Sequence, residues 1–540
     1  MLLKLIDLFS FFSVLLRAGT LVFQSLLLGG IMFEFWTARA SVELPAESID
    51  RIQVSTRQLL RLIALGLAIV QIAYLYVNSA VLMATAEIGL AGVVGANFFI
   101  SGCIVFVAAV VIAIVAAGPL SLAARVLPVL ALVVMSGSVM TNHAASRLTG
   151  RPLLITLSCV HELSVGLWIG GLPFLILALY RAKSLAVQWH VTERFSRVAV
   201  VSVGALVVSG AAMSVIYLGS WTAVLGTAYG VMVTAKAAML GALLLLGGLN
   251  FLLIRGTPKE HALPRLRRIV EAEVGIGITV ILTAASLTSQ PPAIDQISDT
   301  VTTAQILRRF RPTLPRLAYR YVKPVSSAGA SKSAVTPVAF DVDGIPLPLK
   351  KINDAIESES NHHWMGLVVL AMGVLALLAR TGRAAWAKYW PLLLILMAAF
   401  IFLQADSECW PIGWKGFGAC WADPEVFQHR LAALLCAGFG VFELRVRKQA
   451  RDGNTLALVF PLMGAIGGAV LLTHSHATTN VKENLLAELS HVPMGVIAVI
   501  AGWARWLELR LPEKDRVVPS WIWPACFVLI GAVLLNYHEM

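Results

Sequence analysis

Fourteen apolar runs, each near the ~20 residues that cross a bilayer as a helix, set the limits on what this chain can become. They fall near 14–36, 58–82, 92–117, 122–143, 153–180, 196–218, 226–254 and 269–289, and then near 363–380, 388–404, 428–444, 455–474, 487–507 and 519–537. The balance of residues agrees: 58% of the 540 are hydrophobic and 13% charged, where soluble domains carry about half and a quarter. The expected fold is all-α, a polytopic transmembrane helical bundle of about fourteen helices, with Gly, Ala and Ser inside the runs for close packing. Residues 1–292 make a first membrane module of eight helices and 362–540 a second of six. Between them 293–361 is polar, rich in Pro, Ser and Lys, and reads as an external linker or small cap, with a strand-pair pattern over Val335–Leu349. Arg17 interrupts the first run and no small-x-small cleavage site follows, so that run is expected to stay as a helix.

A net charge of +12 raises the question of nucleic acid, but the Lys and Arg are spread over short loops rather than gathered in a patch. They occupy alternate loops: Arg39, Arg51 and Arg57; Arg181, Lys183, Arg194 and Arg197; Arg255 to Arg268; Arg380, Arg383 and Lys388; Arg445 to Arg451; Arg505 to Arg516. The positive-inside bias puts these loops in the cytoplasm and both termini outside. The nine Lys and Arg of 290–361 then face outward, which a long segment tolerates because its translocation is nearly indifferent to charge. No P-loop or nucleotide fingerprint occurs, which speaks against an ATP-driven pump.

On this topology His190 and His261 are cytoplasmic, while nine of the eleven histidines (143, 161, 362, 363, 429, 474, 476, 491 and 538) lie near outer helix ends. Three of them have a methionine at helical spacing: Met140 before His143, Met365 after His362, and Met494 after His491. Thioether with imidazole is a soft-to-borderline ligand set that suits copper, above all Cu(I), whereas Mg²⁺ or Ca²⁺ would want oxygen ligands. Against each single pair stands the ordinary use of Met as a core filler. His474 and His476 close one run and His491 opens the next, with Glu488 three residues earlier as a group that could orient its imidazole. Cys409 and Cys420 share one polar loop with Trp410, Trp414 and Trp421, an expected disulfide in an interfacial aromatic anchor, with a thiol pair for copper as the alternative.

In the first module His143 closes an apolar run, His161 sits two to three turns into the next, Glu162 follows it, and Trp168 lies seven residues on, on the His161 face. Ionisable groups so deep in apolar segments are functional candidates by default; the plainer reading is an interfacial His, with Glu162 paired to Arg147 or Arg151. Asn142-His-Ala-Ala closing one helix, then His161 with Trp168-Ile-Gly-Gly-Leu in the next, resembles the CopD family of copper-resistance and copper-transport membrane proteins. Arg194-Phe-Ser, Leu225-Gly-Thr-Ala-Tyr-Gly230 and Glu273 follow in the family's order, so that the resemblance covers roughly 10–292. It implies a periplasm-facing, non-enzymatic copper protein of the bacterial inner membrane that acts in copper import or tolerance, with any periplasmic copper chaperone a separate chain. Two rivals remain at this stage. Paired His on neighbouring helices can ligate b-type haem, although haem chains usually need His at both depths; and a copper-delivery or assembly scaffold would not transport at all.

Overall fold

The structure, a computed structural model, describes residues 9–39, 46–86, 88–296, 300–318, 346–422, 424–448, 455–472 and 481–539. The strand pattern foreseen from Val335 falls mostly outside these, as do His474 and His476. The protein is an all-α polytopic membrane protein: the described residues of each apolar run are largely helical, and among the described residues eleven helices are long and apolar enough to span. Two more apolar helices, Leu392–Gln404 and Thr455–Leu471, are shorter. Packing divides the chain into two compact units, one essentially of Met1–Ser298 and one from Asp299 onward.

The first unit contains α1 (Phe9–Arg39), α2 (Ala46–Thr85), α3 (Asn97–Val115), α4 (Leu120–Val139), α5 (Arg151–Val165), α6 (Leu172–Arg181), α7 (Leu185–Leu218), α8 (Ala228–Gly256) and α9 (Lys259–Thr288). Between α5 and α6 the backbone forms a π turn over Gly166–Gly170. Glycines seat α1 against this turn. A Cβ on Gly170 would overlap the Ser25 carbonyl, one on Gly29 the Gly170 backbone, and one on Gly30 the Phe174 ring. With little hydrophobic drive between helices in lipid, such backbone-on-backbone approach is what holds a membrane bundle.

The second unit contains α10 (Thr303–Arg309), α11 (Leu349–Arg380), α12 (Leu392–Gln404), α13 (Pro424–Lys448), α14 (Val459–Leu471), α15 (Val481–Arg510) and α16 (Val517–Leu535). Gly366 and Gly373 of α11 meet Gly531 and the Pro524–Val528 backbone of α16 with no room for a Cβ. One end is held by a buried ionic network. Glu443 accepts from Arg447 (2.9 Å) and Arg505 (3.4 Å), and Glu508 accepts from Arg505 (2.6 Å) and the Trp523 indole (2.6 Å) and pairs with Arg380. Trp390 and Trp523, each nearly fully buried, close over it. Charges removed from water are tolerable only when paired this completely. The stretch after α10 packs within this unit: Trp364 Nε1 donates to the Leu317 carbonyl (2.9 Å), and Asn536 Nδ2 to that of Phe310 (3.2 Å).

Candidate metal centres

In the first unit the helix expected to run to His143 stops at Val139. The Asn142 side chain accepts from Ala144 N (3.0 Å) and starts a separate short helix, His143–Ser146. Met140 and His143 are therefore not neighbours on one continuous helical face, and Met140 is 42% exposed. His143 packs edge-on to Tyr217 (6.4 Å between centroids), which in turn meets Tyr229 (6.1 Å). Its buried Nε2 has no hydrogen-bond partner among the described residues. Burial pushes the imidazole below its ordinary range, backbone groups of Gln290 and Leu287 oppose that shift, and Arg147 and Arg17 add to it. The ring is thus biased toward the neutral form a metal requires. Tyr229 gets its place from the Leu225–Gly230 motif: Thr227 caps α8 by accepting from Gly230 N (3.0 Å), and Gly230 sits where a Cβ would overlap the Ala223 carbonyl.

His161 is held from α7. Ser209 Oγ lies 3.4 Å from its Nδ1 and donates its own proton to the Ala205 carbonyl (2.7 Å). The hydroxyl oxygen is then the acceptor for Nδ1–H, and the lone pair falls on Nε2, the atom a metal would take. One turn along the same two helices Met213 Sδ lies 3.6 Å from Ser158 Oγ, which places a thioether one helical turn from the His161–Ser209 contact, on a helix where no His–Met spacing pointed to it. Glu162 accepts from Asn142 Nδ2 (3.4 Å) rather than from Arg147, which pairs with Asp295 (3.0 Å). Trp168 leaves the His161 face because the π turn adds a residue to the helical repeat; its indole sits beside Gly247 and Glu273.

The second unit brings together residues far apart in sequence. His362 of α11 and His491 of α15 have ring centroids 5.9 Å apart and nearly perpendicular planes (87°). His362 Nδ1 lies 2.7 Å from the Ser358 carbonyl and His491 Nδ1 2.8 Å from that of Ala487. A carbonyl can only accept, so each Nδ1 carries the hydrogen and each Nε2 the lone pair. The carbonyl of Ala487 thus does what was expected of Glu488, which is buried nearby with Oε2 lacking a hydrogen-bond partner among the described residues. Tyr537 stacks on His362 (4.1 Å) and meets His491 edge-on (5.7 Å). Met365 and Met494 lie three residues beyond each histidine on α11 and α15, Met494 being buried.

Three further histidines expected at the outer side have other duties. His363 accepts at Nδ1 from Arg316 N–H (2.8 Å) and bonds through Nε2 to the Tyr537 carbonyl (3.0 Å). His538 bridges Glu359 (3.0 Å) and Thr313 (3.0 Å), and His429 pairs with Asp406 (2.9 Å). Cys409 and Cys420 form a disulfide, with Cα atoms 5.8 Å apart. Among the described residues no three His, Cys, Asp or Glu side chains converge on one point. The centres on view are paired imidazoles and imidazole with thioether.

Residues 189–287, which span α7 to α9, match the family described as CopD, copper resistance protein D. Over that stretch the chain is similar to the CopD family. The matched segment supplies Ser209 beside His161 and Met213 one turn further on, together with Tyr217, Tyr229, Asn250 and Glu273. A stretch of 154 residues is 32% identical to the copper transport protein CutJ of Bacillus subtilis (strain 168), and it spans 28% of this chain and 28% of that protein. No solved structure matches the chain.

Proposed function

We propose that this protein captures copper at the outer, periplasmic face of a bacterial inner membrane through His and Met side chains, and that the bundle then carries the ion inward for copper import or tolerance. The observation that carries the reading is the His362–His491 pair: two imidazoles 5.9 Å apart, each with Nδ1 fixed on a backbone carbonyl so that Nε2 holds the lone pair. Orientation of a ligating imidazole by a carbonyl acceptor on its other nitrogen is the usual outer support of a metal site. Met365 and Met494 add thioethers one turn away, which favours Cu(I) over harder ions. His161, held by Ser209 with Met213 one helical turn away, is the corresponding ligand of the first unit, and His143 and Met140 belong to the proposal on sequence grounds, without a shared helical face. His474 and His476 belong to the same proposal on sequence grounds. The CopD segment and the likeness to CutJ support copper as the ion. A soluble periplasmic copper carrier would deliver it.

The geometry of the second unit disfavours haem. A macrocycle ligated by both His362 and His491 must lie between their rings, and Tyr537 packs against both. Metal analysis with a visible spectrum tests the reading on purified protein, wild type beside His362→Ala/His491→Ala and His143→Ala/His161→Ala. Copper retained by wild type and reduced in each double variant is the expected result. A Soret band, or copper content indifferent to all four histidines, overturns it.

A further inference from the structure

Of three buried glutamates, Glu34 and Glu443 pair with arginines and Glu273 does not. Glu34 has Arg57 at 3.9 Å, and Glu443 has Arg447 and Arg505. Glu273 lies halfway along the thirty-residue α9, only 2% exposed, and its partner is an amide: Asn250 Nδ2 of α8 donates to Glu273 Oε1 at 2.6 Å. The Trp168 indole and the Gly247 backbone flank the pair. Among the described residues no charged side chain of α1, α6, α7 or α8 pairs with this carboxyl. Asn250 is itself 7% exposed, and its Oδ1 has no hydrogen-bond partner among the described residues.

Both peculiarities have one remedy. A carboxylate inside an apolar span without a counter-charge is costly, and so is an unsatisfied buried amide oxygen. A carboxylic acid carries an O–H donor that a carboxylate lacks, and a primary amide beside it offers N–H to one oxygen and C=O to the O–H. The pair provides very few oxygens, where Ca²⁺ takes 6–8 and Mg²⁺ near-octahedral coordination, and it has no soft atom for Cu(I). The occupant that fits one carboxyl and one amide is a proton. We propose that Glu273 and Asn250 form a proton-binding site inside the first unit, and that proton exchange at this site accompanies copper movement through that unit. The step balances simply: water gives up a proton, an O–H bond forms on the Glu273 carboxyl and its negative charge is cancelled; release returns the proton to water. The site rests on its own geometry, while its coupling to copper rests on the function proposed above.

Infrared difference spectroscopy of the full-length protein in lipid bilayers, titrated with acid and base, tests the site. A protonated-carboxyl C=O band that shifts in D₂O and is lost in Glu273→Gln is expected. Should that variant fail to fold, Asn250→Leu moves the same band to higher frequency because a hydrogen bond to the carbonyl is gone. Spectra that neither substitution alters overturn the proton site. Adding Cu(I) to one side of sealed vesicles should change this band in the wild type, with vesicle pH, read by an entrapped indicator dye, following copper flux. Copper flux with an unchanged band overturns the coupling. A wild type that takes up no copper overturns the transport reading, and the band still decides the proton site.

Discussion

Adjacent histidines on one helix can have opposite duties, and His362 and His363 show how the hydrogen-bond partners decide. His363 is fully buried and spends both nitrogens, accepting from Arg316 and bonding to the Tyr537 carbonyl. Among the described residues, His362 bonds through Nδ1 to the Ser358 carbonyl, which leaves the lone pair on Nε2. His363→Ala should therefore orphan the buried Tyr537 carbonyl, at about 1–3 kcal/mol, together with the part-buried Arg316 N–H, and lower the melting temperature while copper content holds. His362→Ala should do the reverse, losing bound copper with a smaller change in melting temperature. Thermal unfolding and metal analysis on the two variants side by side separate the roles, and equal copper loss in both would remove His362 from the site. A second prediction concerns Ser209, which fixes the tautomer of His161. Loss of such a support typically costs 10–100-fold in metal affinity, so Ser209→Ala should weaken copper binding by about tenfold in competition with a chelator, and unchanged affinity would deny the serine that part. The spacings of His362 with Met365 and of His491 with Met494 were legible in the sequence as candidates because each pair lies on one continuous helix, whereas Met140 and His143 do not share one. The carbonyls, Ser209 and Met213 were not, because contacts between helices are set by packing and leave no local pattern.

At the scale of elements, glycines decide which residues meet. The Trp168-Ile-Gly-Gly sequence was legible as a motif, and its physical content is a π turn whose glycines admit α1 at backbone contact. The same turn explains why Trp168 left the expected His161 face: a period of 3.6 was assumed where the helix takes an extra residue. Likewise the helix to His143 was read as continuous because its apolar pattern is, and the Asn142 cap ends it earlier. Gly170→Ala forces a Cβ into the Ser25 carbonyl, and overpacking of this kind costs about 1–3 kcal/mol. Gly204→Ala on α7 meets open space and should be neutral or slightly stabilising, since alanine is the better helix former. Melting temperatures in detergent should fall for the first and hold for the second; equal behaviour would mean that α1 does not rest on the π turn. In the second unit Gly531→Ala should part α16 from α11, draw Tyr537 away from His362 and reduce bound copper without touching any ligand. Copper content unchanged in a folded Gly531→Ala would show that the pair does not depend on this seam.

For the whole molecule, the alternation of basic and neutral loops makes a claim about sidedness. The second unit gathers the two kinds of loop at separate ends. Arg380, Arg447 and Arg505, from three loops expected in the cytoplasm, meet in the network around Glu443 and Glu508. His362, His491 and Tyr537, all expected outside, meet in the imidazole cluster. Such sorting follows from the helices that carry these residues: α11 passes His362 before it ends at Arg380, and α15 passes His491 before it reaches Arg505. It leaves open which end faces the cytoplasm, and there only the charge bias speaks: basic short loops are retained inside. Alkaline phosphatase, active only after export, should therefore be active when fused at the C-terminus and silent when fused after Lys448, and a fluorescent protein that folds only in the cytoplasm should give the opposite pattern. Reversal of both signals would turn the histidine cluster toward the cytoplasm, and a protein built in that sense would collect copper from inside the cell and send it out.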